Sequence, residues 1–211
     1  MKILERILAI GIVVALVLKF SLIPGGDIIA FSMMLVLACL YYPLGFLFFN
    51  QIRLRDIFRK VAYQNVTALR IILAIVTGLG LSTIVVGSLY KLLNYAGADA
   101  MLLIGLIVTV VVLVISLTFF LKNKDTNSKF ILWRVSVIGV IGIVLLLTSE
   151  LSIVKFQYRN HPDYITAYTN YLANPGNEEL YKKVEFERNR IMLTDEEFKR
   201  YEESVKDKTR N

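Results

Sequence analysis

Apolar positions dominate the first three quarters of the chain, in long runs broken by short polar stretches. Five runs stand out, at approximately 3–23, 28–49, 69–93, 100–121 and 131–154. Hydrocarbon about 30 Å thick takes roughly twenty helical residues to cross, because an unpaired backbone amide finds no water there. Each run meets that length. None alternates with period two, so a membrane barrel is not predicted. The first run is too long for a signal peptide, and Pro24-Gly-Gly-Asp offers no small-x-small cleavage site. It reads as a retained helix. The expected fold is all-α: a polytopic helical membrane protein with two hairpins at about 3–49 and 69–121, a fifth helix at about 131–154, and a helical tail over 155–211.

The tail is the one hydrophilic module. A helix is expected over 162–172, with Tyr164, Tyr168 and Tyr171 on one side. His161 stands before Pro162 at its entry, as suits a helix start. Asn174-Pro-Gly-Asn177 breaks the pattern, and Asn177 can cap a second helix reaching about 192. Thr194-Asp-Glu-Glu197 has the form of a capping box opening a third. The apolar stripe is too thin for an independent core, so the tail reads as a cap over the bundle, with a partner-docking surface as the sharper alternative.

The hydrophobic residues amount to 56% of 211, and Lys and Arg exceed Asp and Glu by 24 to 17. Residues 1–154 carry the whole excess, 13 against 6, and residues 155–211 are balanced at 11 against 11. Basic residues fall in alternate loops. Lys2 and Arg6 precede the first run, Arg53, Arg55, Arg59, Lys60 and Arg70 follow the second, and Lys122, Lys124, Lys129 and Arg134 follow the fourth. The loops 24–27 and 94–99 have none. The positive-inside rule then places the amino terminus in the cytoplasm and, with five crossings, the tail on the outer side of the membrane. The basic balance is a topology signal and no nucleic-acid partner is expected.

Chemistry is sparse. One histidine and one cysteine, Cys39, make neither a triad nor a metal site. No phosphate-binding loop, cofactor fingerprint or carboxylate dyad occurs. No catalytic, cofactor-binding or metal residue is assigned, and no enzymatic role is expected. Cys39, within an apolar run, reads as a small hydrophobe in the interior. Pro43 could kink the second run, and Gly78, Gly80, Gly87, Gly139 and Gly142 suit close helix packing.

The two loops without basic residues resemble one another. Lys19 and Lys91, Gly25 and Gly97, and Asp27 and Asp99 are each separated by 72 positions. The expectation is a duplicated hairpin whose copies lie parallel, related by an axis near the membrane normal. Pro24, Gly25, Gly26 and Gly97 make the turns, a left-handed glycine closing each helix. Asp27 and Asp99 can cap the helices that follow. The lysines lie inside the apolar runs and want a carboxylate, for which Asp27, Asp99 and Glu150 are at the right level.

The stretch Gly87-Ser-Leu-Tyr-Lys-Leu-Leu-Asn-Tyr-Ala-Gly-Ala-Asp-Ala-Met-Leu-Leu-Ile-Gly105 resembles the membrane hairpin of the gliding-motility protein L (GldL-like) family of Bacteroidota, with an aromatic before a Lys, a glycine turn, and Met-Leu-x-x-Gly afterwards. The first hairpin resembles it more loosely, through Pro24-Gly25. The resemblance implies a place in the machinery of gliding and type IX secretion. In the family a membrane glutamate of the second helix matters. The matching position here, four after Gly105, is Thr109, and there are five runs where the family has two. The resulting expectation is a non-enzymatic envelope protein that scaffolds or accompanies a membrane complex, its partners the lipid bilayer and other envelope membrane proteins. An ion-conducting or motor-associated subunit is the alternative.

Overall fold

The computed structural model describes residues 2–50, 52, 54–56, 58–59, 66–123 and 126–210, and every regular element among them is helical. Arg53, Lys60 and Lys124, three of the basic positions used to orient the chain, lie outside the described residues.

The first hairpin is α1 (Lys2–Phe20) and α2 (Gly26–Tyr41), followed by the short α3 (Gly45–Phe49). The second is α4 (Ala68–Leu92) and α5 (Ala98–Asn123). Next come α6 (Thr126–Leu147) and α7 (Glu150–Gln157), and the tail helices α8 (Pro162–Ala173), α9 (Glu178–Met192) and α10 (Asp195–Arg210).

The hub is α4, which packs against α5, α2, α6 and α3. Leu81, Val85 and Leu89 of α4 meet Met34, Leu37 and Tyr41 of α2, Val112 of α5 and Val135 of α6 in one buried cluster. Small residues let the backbones approach. At Gly78 a Cβ would fall 2.5 Å from the Tyr41 carbonyl oxygen, and at Gly45 one would fall 2.9 Å from the Gly78 Cα. Two glycines therefore form the crossing of the second run over α4, a packing device common between membrane helices. Ser82 Oγ adds a hydrogen bond to the Ala38 carbonyl across the same contact, 3.1 Å.

The outer surface is the reverse of a water-soluble one. Ile104, Ile107, Val111 and Val114 stand exposed along α5, Ile3, Ile7, Ile10, Val14 and Val17 along α1, and Val137, Val140 and Val144 along α6. An apolar face of that extent marks a hydrophobic surrounding. Cys39 belongs to this face. It is exposed, not interior as its apolar neighbours suggested, because α2 turns Ala38 and Tyr41 inward instead.

Three of the five apolar runs differ from their expected form. The second is interrupted: α2 ends at Tyr41 and α3 starts at Gly45. Tyr42 still has helical dihedrals and its amide bonds the Ala38 carbonyl, and the ladder stops at Pro43, which lacks an amide hydrogen. The fifth is broken at residues 148–149, where α6 and α7 meet at 93°. Ser149 caps α7, its Oγ accepting from the Ser152 amide at 3.1 Å, and Glu150 occupies the first turn, where a carboxylate favours helix initiation. The first run stops at Phe20 and carries Glu5, Arg6 and Lys19. By length and composition α4 and α5 can each cross a membrane, and α6 with α7 make a third only as one broken span. At 16 residues α2 is apolar but about 24 Å long at 1.5 Å per residue.

Candidate functional site

Both hairpin turns follow the same backbone course. In the first, Leu22 and Gly25 have φ of 57° and 85°; in the second, Asn94 and Gly97 have 56° and 84°. The Leu22 amide bonds the Lys19 carbonyl and the Ile23 amide that of Leu18, as the Asn94 amide bonds Lys91 and the Tyr95 amide Tyr90. After each glycine a helix begins, with the Ile29 amide reaching the Gly25 carbonyl and the Met101 amide that of Gly97. Gly26 approaches the first helix so closely that a Cβ there would lie 2.7 Å from the Lys19 amide nitrogen.

Each lysine meets the aspartate of its own turn. Lys19 Nζ donates to Asp27 Oδ1 at 2.5 Å and Lys91 Nζ to Asp99 Oδ1 at 2.6 Å. The lysine side chains are 4% and 2% exposed, the aspartates 38% and 59%. The lysines do not have to reach out of mid-helix. Both sit in the last turn of their helices, where a cation favours the dipole and the terminal carbonyls. The aspartates spend their carboxylates on the lysines: Gly25 is the N-cap of α2, without a side-chain cap bond, and Asp27 stands in the first turn. The expected capping role of Asp27 is thus replaced by the ion pair. Among the described residues no ion pair joins Glu150 to either lysine. Its charge acts on Tyr168, whose hydroxyl is pushed up to about 12, first by burial and then by Glu150.

The opposite end of the bundle holds a polar network absent from the sequence reading. Arg134 of α6 grips Glu5 of α1 with two bonds, Nε to Oε1 and Nη2 to Oε2, both 2.7 Å. The Tyr41 hydroxyl donates to the same Oε1 at 2.7 Å. The Glu5 and Arg134 side chains are largely buried, so one charge pair joins three helices. A single acid near the start of one apolar run and a single base just inside another was the available signal.

Above the hairpin turns lies a cavity of about 670 Å³. Its floor comes from Lys19 and Asp27 of the first turn and Asn94 of the second, its wall from the end of α7 and from α8, its roof from α9. The tail is seated there by apolar contacts. Leu22 packs into the cluster of Val154, Tyr158, Tyr164, Ala167 and Val184, and Phe20 meets Phe156 edge-on at 5.4 Å between centroids. The helix signals of the tail are realised as read. His161 precedes Pro162 at the start of α8, Asn177 Oδ1 accepts from the Glu179 and Leu180 amides, and Thr194 and Glu197 bond reciprocally. Phe186 of α9 meets Phe198 of α10 edge-on at 5.3 Å between centroids.

Six tyrosines line the cavity. Tyr158 and Tyr164 lie 4.1 Å apart between ring centroids. Burial raises both hydroxyls above the ordinary phenol value, with Arg188 acting in the opposite direction and Asp27 in the same one. Gln157, 4% exposed, stands in the wall, and its Oε1 has no hydrogen-bond partner among the described residues; Asn94 Oδ1 is in the same condition. Among those residues no cluster of His, Cys, Asp and Glu could hold a metal ion.

Comparison with known proteins bears on the second hairpin. No curated protein and no solved structure is matched by the chain. Residues 76–130, which hold most of α4, all of α5 and the start of α6, match the GldL N-terminal domain family, so this part of the chain is a GldL-like transmembrane region.

Proposed function

We propose that the protein is a non-enzymatic, multi-pass protein of the bacterial inner membrane that serves as scaffold or accessory subunit of an envelope complex of the gliding-motility or secretion type. The observation that carries this is the GldL-like region at residues 76–130. The first hairpin is read as a second copy of it. Support comes from the shared left-handed positions, Leu22 with Asn94 and Gly25 with Gly97, and from the paired lysine and aspartate at the same spacing. Five crossings, a cytoplasmic amino terminus and a periplasmic tail complete the reading. They follow from the alternation of basic loops.

An accessory role is preferred over a motor role because the position of the family's membrane glutamate is Thr109. That residue is buried and returns its hydroxyl to the Gly105 and Leu106 carbonyls. The buried Glu5–Arg134 pair favours an ion-conducting subunit, since ionisable groups inside a membrane often mark proton paths. Its bidentate geometry and the added Tyr41 bond fit a structural clamp better. Affinity purification from native membranes in mild detergent tests the proposal, and other envelope membrane proteins are expected to accompany the chain. Recovery of the chain by itself refutes the scaffold reading, and proton flux in proteoliposomes would favour the conducting one.

A further inference from the structure

We infer that the cavity between the hairpin turns and the tail is a binding site for the headgroup of a zwitterionic phospholipid carrying a primary ammonium. Its place is the first reason. Ile28 and Phe31 line it and are also exposed on the outer face of α2, so the apolar surface of the bundle runs directly into the cavity wall. A ligand with acyl chains can leave them on that surface and place its polar end inside. A volume of about 670 Å³ is in the range of small-ligand sites.

Charge is the second reason. Lys19 and Asp27 neutralise one another in the floor. In the roof Glu185 and Arg188 carry opposite charges, and among the described residues neither is engaged in an ion pair or hydrogen bond. An anionic ligand would satisfy Arg188 and oppose Glu185; a cationic one would do the reverse. A zwitterion satisfies both, its phosphate on the guanidinium and its ammonium toward the carboxylate and the tyrosine rings, which attract cations.

The third reason selects the ammonium. Both unsatisfied buried side-chain atoms in the lining, Gln157 Oε1 and Asn94 Oδ1, are acceptors. A primary ammonium brings three donors. A quaternary choline brings none, and a glycerol headgroup brings hydroxyls without the charge.

The ligand is drawn from the bilayer, so the site rests on the membrane reading above. Purified full-length protein in detergent, delipidated and then offered phosphatidylethanolamine, phosphatidylcholine or phosphatidylglycerol, gives the test by native mass spectrometry. Phosphatidylethanolamine should be retained about tenfold more tightly than either other lipid, the worth of one or two charge-assisted hydrogen bonds. Gln157→Met, which replaces an unsatisfied polar group by an apolar one of similar size, should reduce the preference over phosphatidylcholine, and the double variant with Asn94→Leu should abolish it. Arg188→Gln should weaken retention of all three lipids, since each carries its phosphate partner, and Lys182→Gln, outside the cavity, should change nothing. Equal retention of the three lipids overturns the inference. So does free phosphoethanolamine binding as tightly as the lipid, since the site would then serve a soluble ligand. Either failure leaves the membrane and scaffold readings standing, because purification from native membranes tests those separately.

Discussion

Lys91 and Asp99 are bonded at 2.6 Å but are placed very unequally, at 2% and 59% side-chain exposure. Removing the acid and removing the base should therefore differ in cost. Asp99→Ala leaves an ammonium that water hardly reaches. It loses a charge-assisted hydrogen bond, worth about 1.5–3 kcal/mol, and strands a buried charge, which in fully enclosed pairs costs about 3–5 kcal/mol. The open side toward Asp99 admits some water, so a loss of about 2–3 kcal/mol is expected. Lys91→Met puts an apolar chain of similar length in the same slot and returns Asp99 to solvent. Its cost should stay within about 1 kcal/mol. Reversible unfolding in mixed micelles of lipid and SDS measures both. A Lys91→Met variant as unstable as Asp99→Ala would refute the reasoning, because the pair would then be held by mutual attraction and not by the burial of one member.

Four further outcomes are expected. Arg134→Gln should destabilise by about 3–5 kcal/mol, since it leaves Glu5 largely buried without its bidentate partner; the same unfolding assay checks it. Gly78→Ala should cost about 1–3 kcal/mol, because its methyl would meet the Tyr41 carbonyl at 2.5 Å and force α2 off α4. Tyr168 ionises near pH 12 in the folded chain against about 10 in the unfolded one. The folded state then holds a proton that the unfolded state releases, so the contribution of Tyr168 is intact below pH 10 and is lost as pH rises through 12. Ultraviolet titration against Tyr168→Phe checks the value, and Glu150→Gln should lower it. Finally, a nitroxide on Cys39 should be relaxed more by oxygen than by a water-soluble paramagnet, since the residue lies on the apolar outer face of α2; the opposite result would count against the membrane reading.

The apolar runs made most of the fold legible, because helix length against hydrocarbon thickness is a one-dimensional test. Caps were legible too: Asn177, Thr194 and Glu197 act locally, and their bonds span only two or three residues. The interruptions were harder. Pro43 signals a kink in the sequence but interrupts the second run outright, and Thr148-Ser149-Glu150 carries a helix-start signal that a continuous hydropathy profile hides. The paired lysines and aspartates could be seen from their spacing, whereas Glu5 and Arg134 are 129 positions apart and meet only once the bundle is assembled. The cavity had no sequence signature at all. It arises where two turns and three tail segments converge, and its diagnostic groups, Gln157 and Asn94, are ordinary polar residues until their surroundings are known.

The corner between α6 and α7 has a mechanical meaning. A continuous helix would carry a pull on the tail along its own axis, as a rod does. Across a 93° corner the same pull acts sideways on the end of α6 and becomes a torque, while α7, resting on α1, serves as the lever arm. Load applied to the tail is thereby shared between α1 and α6 and is resisted by the bundle as a whole.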